Sequence, residues 1–429
     1  MTGDVRPLEK APMAILPLAN PDVLRVVVHN VAQTDFLFFA MVCRNWREAW
    51  GKRPTVTSII PTPESSVSQL RFGFECGSPR YGTQMCTTAA RLGRLDLLQC
   101  AKEHGCAWDA RTCAAAARAG HQDVLEYLRL HLCPWDEATC TAAAEGGNLI
   151  ILQWATNHGC PWDLRVCPAA AKNGDAAMLR WARLQGYAWY ENVSAAAARG
   201  GHLDILSWLR DEGCPWDDMT CSSAAAGGHL DVLQWARANG CPWNWITCMA
   251  AARGGHLEVL RWARANGCAW NESSCSTAAE HGHLDCLRWA RTNGCPWTST
   301  TCEKAAKGGH LTILRWARAN GCPWGAWTCA LAAEGGHLHI LQWARLNGCP
   351  WTTATCSSAA ARGHLKVLQW VHENGCAWDN LTCIRASLFG HLACLKWAKE
   401  NGAPWDRERC LSNAQEGRHW RVVEWILKS

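Results

Sequence analysis

The 429-residue chain holds no apolar run long enough to cross a membrane, which takes about twenty predominantly apolar residues. Met1 to Met13 carry Asp4, Glu9 and two prolines and offer no apolar signal core. The expected location is therefore cytoplasmic, nuclear or both, with no membrane association. Charge is also sparse. The 42 basic and 37 acidic residues leave only +5, far from the strong basicity of a nucleic-acid-binding domain, so nucleic acid is a disfavoured partner. Beyond residue 83 there is no glycine-rich phosphate loop, nucleophile elbow or carboxylate pair. The expectation is a chain that is not an enzyme and carries no cofactor. Disorder is excluded too, because 48% of the residues are hydrophobic.

Two residue types are present in great excess, with 27 cysteines and 28 tryptophans. Their positions are periodic. A Cys-Pro-Trp or Cys-Ala-Trp motif places Trp108, Trp135, Trp162, Trp189, Trp216, Trp243, Trp270, Trp297, Trp324, Trp351, Trp378 and Trp405 at steps of 27 residues, with Tyr187 and Ala403 in place of the cysteine in two of them. A second cysteine follows in register from Cys86 to Cys410, interrupted only by Ser194. A Gly-His pair keeps the same beat, with Asn148 and Asp175 as exceptions. A fixed period of 20–50 residues marks a stacked repeat architecture. About thirteen such repeats fill residues 83–429.

Each repeat reads as two short helices. In Thr247–Gly267, Thr247 is the expected N-cap. A helix rich in alanine runs from Cys248 to Arg253 and stops at Gly254-Gly255. A second helix starts near His256 and puts Leu257, Val259, Leu260 and Ala263 on one face. The slot of Leu260 is leucine in twelve repeats and Val423 in the last. Asn266-Gly267 then closes the helix through a left-handed turn. The run Thr-Cys-x-x-Ala-Ala-x-x-Gly-His-Leu-x-Val-Leu resembles the ankyrin repeat, with cysteine where ankyrin has proline and six residues fewer per repeat. The resemblance implies an all-α, ankyrin-like helical solenoid with a clipped inter-repeat hairpin, a protein-binding role, and a monomeric chain.

Residues 1–56 do not follow the period. Pro21-Asp22-Val23-Leu24 opens an apolar helical pattern, and Asp35, Leu37, Val42-Cys43 and Trp46 follow. This stretch resembles an F-box, departing from it at Asn20-Pro21, where Leu-Pro is usual. The resemblance implies that Pro21, Leu24, Leu37, Val42 and Trp46 bind the adaptor of an SCF-type cullin ubiquitin ligase, making the chain a substrate-recognition subunit. The alternative is a helical cap for the repeats. Residues 57–82, rich in Pro, Ser and Gly, read as a linker.

Within the repeats, the residues after each Pro-Trp vary while the scaffold slots persist. Tyr190, Trp245 and Trp327 are off-register aromatics there, and aromatics anchor many protein interfaces. A basic ladder late in the second helix includes Arg237, Arg264, Arg291 and Arg318. It reads either as favourable charge at helix C-termini or as a stripe for an acidic partner. Each repeat also offers Cys-x6-Cys-x7-His, wider than zinc clusters use. Buried structural thiols are the better reading, with a zinc- or thiol-responsive protein as a distant alternative. The joint loss of cysteine at Tyr187 and Ser194 suggests that those two slots are neighbours. The registered histidines read as hydrogen-bonding groups between the two helices.

Overall fold

The computed structural model describes residues 65–75 and 82–429. The expectations for residues 1–56, including the adaptor-binding set, lie outside them. The chain divides into two compact bodies, Met1–Asp163 and Leu164–Ser429.

Among its described residues the first body contains the helix Val67–Glu75 and three helix pairs: Gln84–Arg91 with Leu95–Glu103, Ala110–Ala119 with Gln122–Leu130, and Glu137–Glu145 with Leu149–Asn157. Val67–Glu75 lies within the stretch read as linker. It packs on Leu95–Glu103, buries Leu70 and stacks Phe74 on His104 with ring centroids 4.9 Å apart. Val67, Leu70 and Phe74 sit at i, i+3 and i+7, a helical apolar stripe that the neighbouring Pro, Ser and Gly obscured.

The second body holds ten pairs, from Val166–Asn173 with Ala176–Leu184 to Arg407–Glu416 with Trp420–Lys428. Among the described residues there is no strand. The array is all-helical and ankyrin-like in its two-helix repeat, and no hairpin occupies the inter-repeat connection.

Within each body, first helices pack against first helices of the next repeat, whereas second helices meet one another sparingly. Alanine permits the close approach: Ala251, Ala252, Ala278 and Ala279 are fully buried between first helices. The second helix supplies the bulk of the core. Val259, Leu260 and Ala263 are buried as the period requires, and every leucine in the Leu260 slot has no exposed surface.

One boundary differs from the sequence reading. The N-cap of the helix Trp245–Gly254 is Asn244, whose side chain accepts a hydrogen bond from the Ile246 amide, at 2.8 Å. Thr247 lies inside the first turn and is fully buried. The same holds for Asp217 with Thr220, and for Asp379 with Thr382. A buried threonine beside the conserved register of the repeat mimics a cap in sequence, but the side chain that satisfies the helix amides lies three residues earlier.

Candidate functional site

The shifted helix start alters what the variable residues are. Tyr190 is an N-cap residue, Trp245 is the first residue of its helix, and Trp327 is the second residue of Ala326–Glu334. They are therefore held on helical first turns and not on loop tips. All three are exposed, at 45%, 38% and 58%. Met219 and Leu381, exposed in the same slot as Trp327, extend this edge. Sequence reasoning missed both because it sought only off-register aromatics; their signal is the 27-residue frame itself.

The four ladder arginines lie on second helices instead. Arg237 sits over the Trp243 ring at 4.4 Å, Arg264 over Trp270 at 4.1 Å, Arg291 over Trp297 at 4.6 Å and Arg318 over Trp324 at 4.4 Å. Each also donates to the carbonyl of the cysteine four residues on: Cys241, Cys268, Cys295 and Cys322. The guanidinium thus closes the helix end and covers an indole in a single placement, a contact worth about 0.5–1 kcal/mol when exposed. The far edge of each indole meets the second-helix tryptophan of the next repeat. Trp270 and Trp289, for example, are T-shaped with centroids 5.8 Å apart.

The cysteine slots pair within a repeat, between the start of its first helix and the exit of its second, but not in the way their joint loss suggested. The Cys221 thiol reaches the Cys241 carbonyl, twenty residues on, at 3.9 Å, and Cys356 reaches that of Cys376 likewise, while the second thiol of a set donates to the residue that caps the first helix, as Cys268 does to the Asn244 carbonyl at 3.2 Å. Ser194 accordingly bonds the thiol of Cys214 at 3.3 Å, so Ser194 and Tyr187 belong to different pairs. All 25 cysteines within the described residues are free and buried. Burial pushes the thiols of Cys167 and Cys286 up to about 11. Among the described residues, no group of three or more His, Cys, Asp or Glu could hold a metal.

The histidines bridge repeats. His229 Nε2 lies 3.1 Å from the Arg199 carbonyl, and His256 Nε2 lies 3.2 Å from that of Ala226, at the ends of preceding first helices. Asn148 donates to the Ala117 and Arg118 carbonyls in the same role. Burial depresses His283, His337 and His391 below the ordinary 6.5. The folded array therefore binds fewer protons than the unfolded chain just below pH 6.5, and stability falls as pH drops through that window. The midpoint of thermal unfolding is expected to be lower at about pH 5.5 than at pH 7.5. A midpoint that holds steady or rises would contradict buried neutral imidazoles.

Two open grooves lie between first helices. One, of about 320 Å³, has Arg91, Arg111 and Arg118 around Ala114, Ala115 and Ala119. Its guanidiniums are largely engaged, Arg111 with Asp109 and Arg118 with Glu145. The other, of about 280 Å³, is lined by Glu334, Ser358, Arg362, Leu388 and Phe389. No helix among the described residues is long and apolar enough to cross a membrane.

No family model and no curated protein matches this chain. Among solved structures, it is similar to the human ASB11 ankyrin repeat domain, at 18% identity over 37% of this chain and 84% of that one, with a TM-score of 0.31. It is also similar to the pentatricopeptide repeat protein PPR10 in complex with an 18-nucleotide psaJ RNA element, at 13% identity over 95% and 78%, with a TM-score of 0.26.

Proposed function

We propose that the repeat array is a non-catalytic scaffold that binds another protein along the first turns of its first helices and the face those helices form. The observation that carries this reading is the exposure of Tyr190, Trp245 and Trp327 on rigid helical turns. The scaffold tryptophans, by contrast, are half-buried in pairs, as Trp243 is with Trp262. Exposed aromatics on a rigid frame lose little entropy on binding and anchor interfaces well. A peptide-display selection on the purified full chain tests it. Peptides enriched by the wild type should bind a Trp245→Ala/Trp327→Ala variant at least about tenfold more weakly, near 1.4 kcal/mol, with unchanged thermal unfolding. Equal binding by the variant would remove the first-turn edge from consideration.

The second reading, a substrate-recognition subunit of a cullin ubiquitin ligase, rests on the Val42-Cys43…Trp46 motif. In the same assay format, the purified F-box-binding adaptor would be captured by the wild type and released by Leu24→Ala/Trp46→Ala. Failure of the wild type to capture it would leave the amino-terminal segment as a cap.

A further inference from the structure

We infer that three consecutive second helices, Leu257–Ala265, Leu284–Thr292 and Leu311–Ala319, form a docking strip for an extended acidic segment of a protein partner. This surface is separate from the first-turn edge and does not depend on it.

The sequence Arg-Trp-Ala-Arg, found once on its own at 180–183, recurs in three consecutive repeats at 261–264, 288–291 and 315–318, bounded in the neighbouring repeats by Gln234 and Gln342. It places a second arginine one turn before each ladder arginine. Arg261, Arg288 and Arg315 are exposed. Arg288 reaches only loosely over Trp316 of the next repeat, at 5.9 Å, and Arg315 over Trp343, at 5.7 Å. The inner row, Arg264, Arg291 and Arg318, is fixed by its indoles and carbonyls as described above. Facing these six guanidiniums on the same helices are two carboxylates: Glu258, paired to Arg261 at 3.0 Å, and exposed Asp285. In the third helix, Thr312 stands where the acid would be. Cations are thus concentrated on one face of a chain whose overall charge is only +5.

The chemistry favours carboxylates. An arginine held over an indole, with Nη1 given to a backbone carbonyl as in Arg291, still has an Nε–Nη2 edge of the kind that pairs bidentately with a carboxylate. The same stacking covers indole faces that bases of a single-stranded nucleic acid would use. Packed helices stand about 8–10 Å apart, and three residues of extended chain span about 10 Å. The fitting partner is therefore an extended segment with Asp or Glu at every third position, one per helix.

The test is fluorescence anisotropy on the full chain with three probes: a peptide of about a dozen residues with glutamate at every third position, a peptide of the same composition with its glutamates contiguous, and a single-stranded oligonucleotide of about the same length. The spaced peptide should bind about tenfold more tightly than the other two, and more weakly as salt rises. The Arg261→Gln/Arg288→Gln/Arg315→Gln variant should lose about tenfold in that affinity with unchanged thermal unfolding, whereas Arg253→Gln, on a first helix, should not. Equal binding of the contiguous peptide, tighter binding of the oligonucleotide, no binding at all, or indifference to the triple substitution would each overturn the strip.

Discussion

Gly255→Ala is expected to cost about 2–4 kcal/mol of stability, against about 1 kcal/mol for Gly267→Ala. Both glycines close helices in the left-handed region, Gly255 at φ +74° and Gly267 at φ +84°. They differ in what lies beyond. A Cβ on Gly267 would meet nothing within 4 Å, whereas a Cβ on Gly255 would sit 2.4 Å from Nδ1 of His283 in the next repeat. That imidazole is not free to retreat, because it occupies the slot in which His256 and His310 are bonded to carbonyls of the preceding first helix. The alanine therefore adds a steric clash between repeats to the backbone strain. Urea unfolding followed by tryptophan fluorescence reads the difference, and His283→Ala combined with Gly255→Ala should recover part of it. Equal losses at the two glycines would mean that the ring gives way without cost.

The second large effect is chemical. At pH 8 the native chain should expose at most two promptly reactive thiols to Ellman's reagent, and all 27 after denaturation. The 25 cysteines described are buried, which leaves only Cys43 and Cys76 of the 27 in the sequence. Burial also holds thiols protonated: Cys394 is pushed up to about 11, and Cys86 and Cys383 to about 12. The thiolate of these three is thus scarce as well as shielded, whereas thiols such as Cys241 and Cys268, lowered by the cysteine beside them, rely on burial alone. The sign of the pH dependence follows. Above the ordinary thiol value of 9.0 the unfolded chain loses the protons of Cys86, Cys383 and Cys394 while the folded one keeps them, so the contribution of these three to stability falls as pH rises past about 9. More than two fast thiols would revive a redox role for the array.

Much of the fold was legible because the repeat multiplies its own signal. Leu260 is one buried leucine, but the same slot filled twelve times fixes the period, the helix and the buried face together. Helix starts were less legible. Thr247 recurs more faithfully than Asn244, yet it recurs because it is buried, while the cap slot tolerates Asn, Asp, Thr, Gly and Tyr. The lateral contacts were hidden for a different reason. The approach of Cys221 to Cys241 is set by how the two helices of a repeat fold together, and that of Trp270 to Trp289 by how one repeat lies on the next; no local periodicity encodes either. The ladder arginines were placed late in the second helix with two roles open, and the indole beneath each one appears only once the chain turns at Cys-Pro-Trp. Of the proposed site, the exposed aromatics Tyr190, Trp245 and Trp327 drew attention by their irregularity. Arg261, Arg288 and Arg315 were passed over because, apart from Arg180, their slot is filled by glutamine, serine, glutamate or lysine elsewhere.

The bridging histidines carry one more implication. Each bond of this kind runs from a repeat to its immediate predecessor in a constant register, as His229 does to Arg199 and His256 to Ala226. A stretch of 27 residues removed or duplicated in frame within a body would bring together two faces that already fit, leaving no donor or core side chain without its counterpart. Copy number is therefore a variable this architecture can change in a single genetic step, and with it the length of surface on offer.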